Sequence, residues 1–206
     1  MTTRREHWDA VYATKAFDAV SWHRPRLDAS LRWIEALRLP PRSAIIDVGA
    51  GASNLLLDLL DLGFTDVTAL DVSDEALKVA RHRAGGRAGA IEWIVADITA
   101  CPLASARYDL WHDRAVLHFL VGEGDRAAYA DAAARAIRPG GHALISGFAP
   151  DGPTRCSDLD VLRAGPEAIA ATLGPRFRLL HSSEERHHTP WGKEQAFAYA
   201  VLRREP

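Results

Sequence analysis

Apolar positions along the chain follow two periods. The runs SAIIDV (43–48), DVTALDV (66–72) and IEWIVAD (91–97) are short, β-branched and strand-like. Between them, SNLLLDLLDLG and SDEALKVARHRAGG carry apolar residues at helical spacing and end on glycine. Ser73, followed by Asp74 and Glu75, is a helix N-cap with acids in the first turn. This alternation is βαβαβ and predicts a parallel sheet.

The pattern continues with a strand at RYDLWH (107–112), a helix over DRAAYADAAARAIRPGG stopped by Pro139 and Gly140, and a strand at HALISGF. A Gly- and Pro-rich loop (149–158) and a short helix at PEAIAATLG come next. The alternating runs RFRLLHSSEER and EQAFAYAVLRRE then predict an antiparallel hairpin at the sheet edge. Ahead of the first strand, RREHWDAVYATK and RLDASLRWIEALRL place Trp8, Tyr12, Leu31, Trp33, Ile34 and Leu37 at helical spacings, closed by Pro40 and Pro41. Two amphipathic helices packed on the sheet account for them. The alternative is a lid over a ligand cleft, carried mainly by FDAVSWHRP (17–25).

Composition narrows the partners. With 25 Lys and Arg against 27 Asp and Glu, the formal charge of −2 offers no basic field for nucleic acid. Cys101 and Cys156 form no CxxC or Cys/His metal spacing and read as thiols of a reducing compartment. No apolar run is long enough to span a bilayer, and the N-terminus lacks the apolar core of a signal peptide, so a cytoplasmic protein is expected. The 206 residues fit one domain, with a helical lid over 1–40 and a core over 41–206.

In a doubly wound sheet, ligands sit beyond the carboxyl ends of the strands, here the loops after residues 48, 71, 97 and 112. Asp47 ends the first strand, and Gly49 and Gly51 permit close backbone approach. Asp71, 20 residues beyond Gly51, stands where an acid accepts both hydroxyls of a ribose. These features suit a nicotinamide dinucleotide as well as S-adenosylmethionine. Two others favour the latter: Ser53 and Asn54 fill the turn where a dinucleotide wants a third glycine, and Asp97 is an acid suited to an adenine amine.

On these residues the chain resembles a class I S-adenosylmethionine-dependent methyltransferase over most of 40–205. IIDVGAGAS is similar to that family's first motif, ALDVS to its second-strand acid, VADIT to its third, and RPGGHALI to the stretch entering strand five. The resemblance implies a Rossmann-like α/β fold of seven mostly parallel strands, the last inserted antiparallel. It also implies S-adenosyl-L-methionine as cofactor, near Asp47, Gly49, Gly51, Ser53, Asn54, Asp71, Val72, Asp97 and Ile98. HWDAVYATKAFDAVSWHRP is similar to the opening of small relatives of protein-lysine methyltransferases, where the tryptophan segment, Trp22 here, closes over the cofactor. That subgroup has Asp-Lys-Gly-Thr after the fourth strand, whereas this chain has Asp113, Arg114, Ala115 and Val116.

Methyl transfer needs positioning, and a base when the acceptor is a neutral hydroxyl or amine. His112 at the expected tip of the fourth strand is the candidate base, with Asp113 and His118 as further candidates. Those three are not supported by any other ligand cluster as a metal site, and no metal is expected. Arg114, Phe148, Arg155 and Trp191 are expected at the acceptor with Cys156 nearby, although Arg114 could instead pair with Asp113 or hold the lid; His187 and His188 read as a solvated turn whose place over the sheet's active end also makes them candidates for substrate contact. A small molecule or a protein side chain is the expected acceptor. A nucleotide-dependent oxidoreductase and a non-catalytic binding module are the competing readings.

Overall fold

A strand at the centre of a parallel sheet is covered on both faces, and β1 (Ala44–Val48) is buried at every position. The computed structural model describes residues 3–206. Two helices, α1 (Arg4–Thr14) and α2 (Asp28–Ala36), precede β1. There follow α3 (Leu55–Asp61), β2 (Asp66–Asp71), α4 (Asp74–Ala84), β3 (Ile91–Val95), β4 (Tyr108–Arg114), α5 (Glu123–Ala136) and β5 (Ile137–Phe148). The two-residue strands β6 (Arg155–Cys156) and β7 (Leu159–Asp160) pair with each other. The chain closes with α6 (Pro166–Leu173), β8 (Phe177–His188) and β9 (Glu194–Arg204).

The main sheet has seven strands in the order β3-β2-β1-β4-β5-β9-β8. β1 to β5 run parallel, and β9 is inserted antiparallel between β5 and β8, as expected. The order reverses between β1 and β4, which opens a crevice at their carboxyl ends. One face of the sheet packs Trp111, Ile145 and Ala200 against Tyr129 of α5 and Ile169 of α6. The other packs Ile45, Leu110 and Val201 against Ile34 of α2 and Leu55 and Leu59 of α3.

Local signals were good guides to element ends. Ser73 caps α4 by accepting from the Ala76 N–H at 3.1 Å, and Gly85 ends that helix at φ 54°. Several boundaries differ; β8, expected to end at Arg186, runs on through His187 to His188. The helix expected to be stopped by Pro139 and Gly140 ends earlier, at Ala136, because Ile137 pairs with Tyr108 and the chain continues as strand. A register shift between Tyr108 and Leu110 accommodates Gly140 and Gly141; a Cβ on Gly141 would meet the Asp109 carbonyl oxygen at 3.1 Å. The fourth strand, expected to end at His112, runs on to Arg114, which pairs with Ser146. No helix among the described residues is long and apolar enough to cross a membrane.

Candidate active site

The glycine turn is built around Asp71. At Gly49 (φ 69°) a Cβ would fall 2.0 Å from Val116 Cγ2, and at Gly51 (φ 54°) one would fall 2.6 Å from the Tyr12 hydroxyl, so both positions need glycine. The N–H groups of Gly49 and Ala50 donate to the Leu70 carbonyl at 2.7 and 3.0 Å. Those of Gly51 and Ser73 each donate to one Asp71 oxygen at 2.8 Å. A carboxylate has about four lone-pair sites, so two acceptor positions remain. Burial, reinforced by the charges of Asp47 and Asp9, pushes the Asp71 carboxyl up to about 6.

A cavity of about 430 Å³ lies over this turn, between the carboxyl ends of the strands and α1. At the β1–β3 end its walls are Gly49, Leu70, Asp71, Val72, Asp97 and Ile98. At the β4–β5 end they include Arg114, His118, Phe148, Cys156 and Phe197. The roof is Trp22 together with Arg4, Trp8 and Tyr12, which form one stripe of α1.

Arg4 ties that roof down. Its guanidinium bonds Asp97 Oδ2 at 2.9 Å and also pairs with Asp125. Burial opposes ionisation of Asp97, but the Thr99 hydroxyl and N–H and the Arg4 charge outweigh it and hold the carboxyl below its usual range. Asp9 accepts from the Ser73 hydroxyl at 2.7 Å and the Glu75 N–H at 3.3 Å, docking α1 on the start of α4. Arg4, Trp8 and Tyr12 line the cavity although the sequence reading does not assign them to the site; their i, i+4, i+8 spacing is the sequence signal that groups them.

Several expected residues stand elsewhere. His112 is buried inside β4, away from this cavity; its Nδ1 bonds Asp47 at 2.6 Å and its Nε2 bonds the Ser30 hydroxyl of α2 at 2.8 Å. Asp47 is thereby drawn to His112 rather than to the cavity. Asp113 points to the opposite face, accepting from Val116 N–H at 2.7 Å, Leu117 N–H at 3.1 Å and the Tyr129 hydroxyl at 2.5 Å. Burial pushes its carboxyl up to about 6.

Asn54 sits behind the turn, its Nδ2 donating to the Pro25 carbonyl at 2.8 Å. Ser53 accepts from the Leu55 N–H at 3.3 Å and borders only a small side cleft of about 50 Å³, which Gly51, Asp47 and His112 also line. Arg155 is on the surface, donating to the Asp158 carbonyl at 2.7 Å, and Trp191 is 61% exposed in the β8–β9 turn. His187 is held by the Ser21 carbonyl at 2.6 Å, and His188 faces Glu194.

The rest are brought together. Gly49, Asp71, Val72, Asp97, Ile98, Trp22, Arg114, His118 and Phe148 all line the one cavity. The described residues contain no group of three metal-ligating side chains.

A doubly wound sheet with a glycine turn facing a buried acid defines an adenosine-binding frame. Residues 45–141 match the methyltransferase domain family. The chain is 32% identical over 187 residues to the ubiquinone/menaquinone biosynthesis C-methyltransferase UbiE of Methylobacterium nodulans, covering 82% of this chain and 72% of that protein. It is 29% identical over 84 residues to EEF1A lysine methyltransferase 2 of Mus musculus, of whose length only 34% is spanned. Among solved structures, one from work on conversion of a disulfide bond into a thioacetal group during echinomycin biosynthesis superposes with a TM-score of 0.81. It is 23% identical, over 98% of this chain and 93% of that one. The 1,6-didemethyltoxoflavin-N1-methyltransferase of Burkholderia thailandensis, solved with S-adenosylhomocysteine, has a TM-score of 0.67 at 23% identity, over 95% of this chain and 81% of that one.

The chain belongs to the class I S-adenosylmethionine-dependent methyltransferases. S-adenosyl-L-methionine is the cofactor of that family, which sets aside a nicotinamide-dependent oxidoreductase.

Proposed function

We propose that this protein methylates a small-molecule acceptor enclosed beneath α1, and that the cavity is shared by cofactor and acceptor. The observation that carries the reading is the Asp71 carboxylate, fixed by two backbone N–H groups at the cavity wall with acceptor sites to spare. Asp71 would hold the ribose hydroxyls, Gly49 and Val72 would let the adenosine lie against backbone, and Asp97 and Ile98 would flank the adenine. When bound, S-adenosylmethionine supplies a sulfonium methyl, and the electron pair of the breaking C–S bond returns to sulfur. The residues here orient the partners and exclude water: Trp8, Trp22, Phe148 and Phe197 make the cavity largely apolar.

We place His112 and Asp47 as structural supports of the turn, and residues 41–206 as one core on which α2 packs, with α1 and the segment through Pro25 as its lid. Two unpaired cysteines suit a reducing, cytoplasmic setting.

Calorimetry tests the cofactor reading. S-adenosylmethionine and S-adenosylhomocysteine should bind and NADH should not. Asp71→Asn should weaken S-adenosylhomocysteine about tenfold or more, the loss of a charge-assisted hydrogen bond worth ~1.5–3 kcal/mol. The bound ribose favours the carboxylate, so affinity should be full above pH about 6 and fall as pH drops through that value. A pH-independent affinity, or a folded Asp71→Asn with full affinity, overturns the assignment. Turnover separates an enzyme from a binding module.

A further inference from the structure

The β4–β5 end of the cavity carries a cation with two unpartnered nitrogens. Arg114, the last residue of β4, donates through Nη1 to the Trp22 carbonyl at 3.1 Å, and its Cζ lies 4.6 Å from the Phe197 ring centre. Its Nε and Nη2 are buried without a hydrogen-bond partner. Orphaned buried guanidinium N–H groups are costly and mark a place where an acceptor atom is wanted. Glu185 feels this charge, but its oxygens already accept from Arg24 at 2.5 Å and from the Tyr199 hydroxyl at 2.9 Å. Two guanidiniums against one carboxylate leave this wall positive.

His118 is the second donor. Its Nδ1 accepts from the Phe148 N–H at 3.3 Å, so that nitrogen carries no hydrogen. Burial and the Arg114 charge push the ring down to about 3, so it is neutral with its hydrogen on Nε2. That Nε2 is likewise buried and unpartnered. A ring whose lone pair is already engaged is a donor and not a base.

The acids lining the cavity have other partners than this wall. Asp71 holds the turn, Asp97 and Asp125 face Arg4, and Asp160 is at the rim beside Arg155 at 3.4 Å. An ammonium group would meet guanidinium at the β4–β5 wall, with no free carboxylate there to receive it.

We infer that Arg114, with His118 beside it, forms a subsite for a flat acceptor bearing an ionised oxygen, a phenolate, enolate or carboxylate, lying against the Phe148 and Phe197 walls. An acceptor that enters already ionised needs no protein base, which matches the placement of His112 and Asp113 outside the cavity. This subsite rests on the reading of the cavity as the cofactor and acceptor site.

The test uses the full chain saturated with S-adenosylhomocysteine at pH 7.5 and ligand-observed NMR titration of benzoate, benzamide and benzylammonium, three flat probes differing in charge. Benzoate should bind about tenfold tighter than benzamide and benzylammonium weakest, as a charge-assisted pair implies. Arg114→Met, kept saturated with S-adenosylhomocysteine, should bring benzoate down to the benzamide level. Should that variant fail to fold, the charge series on the native protein decides alone. Equal affinities for the three probes, including binding too weak to rank, overturn the subsite while leaving the cofactor reading intact. Failure of S-adenosylhomocysteine to bind removes the cofactor reading first.

Discussion

His112 shows how one residue's role turns on where a strand ends. Had β4 stopped at residue 112, the imidazole would have stood at the sheet's carboxyl edge. The strand continues for two more residues, to Arg114, so alternation sends His112 to the α2 face and Asp113 to the α5 face. The side chain at the edge is instead Arg114. His112 joins β1, β4 and α2 through Asp47 and Ser30, and its loss strands a buried carboxylate. His112→Ala should therefore destabilise the fold by about 2–5 kcal/mol, read by urea denaturation. S-adenosylhomocysteine affinity in the folded variant should stay within about threefold. A stable variant with lost turnover would restore His112 as a base. Asp71 has the opposite character: its raised carboxyl means that charge burial costs stability above pH about 6, a cost relieved as pH falls towards the ordinary carboxylate value.

Among the elements, α1 combines two tasks that its sequence pattern does not separate. Thr3 and Glu6 form a reciprocal capping box that starts the helix independently of the rest of the chain. Its apolar stripe then covers the cavity, while Asp9 and Arg4 fasten it to α4 and to the loop after β3. Arg4 is 37% exposed, so each of its ion pairs is screened and contributes at most ~1 kcal/mol. A latch of that strength suits a lid that opens. Arg4→Gln should raise amide exchange across 4–14 several-fold, with little change in the strands. It should also speed S-adenosylhomocysteine release a few-fold, since the roof of the cavity is loosened. Unaltered exchange would assign α1 a purely packing role.

At the scale of the whole molecule, the cavity is where sheet, helices and roof meet without filling the space between them. A ligand that bridges β1, β2, β4 and α1 binds only the assembled state. At 100 times its dissociation constant it adds about 2.7 kcal/mol. For a chain of this length, S-adenosylhomocysteine should then raise the melting temperature by about 5–10 °C, and NADH should not. An equal shift with NADH would contradict a methyltransferase cofactor site.

Much of this architecture was legible in one dimension because its causes are local. Strand and helix periods, the Ser73 cap, the glycines of the turn and the acid 20 residues beyond Gly51 are short-range requirements of backbone geometry, and they place Gly49, Asp71 and Asp97 at the strand ends. The inserted antiparallel β9 followed from an alternating hairpin and the family resemblance. What tertiary structure alone decided depends on contacts between distant segments. Ser30 lies 82 positions from His112, Arg4 93 from Asp97, and Ser21 135 from Cys156. No periodicity encodes such pairings, because they arise only when the sheet twists and its covering helices settle. That packing turned His112 inward and left the Arg114 guanidinium, two of its nitrogens unpartnered, at the wall of the cavity.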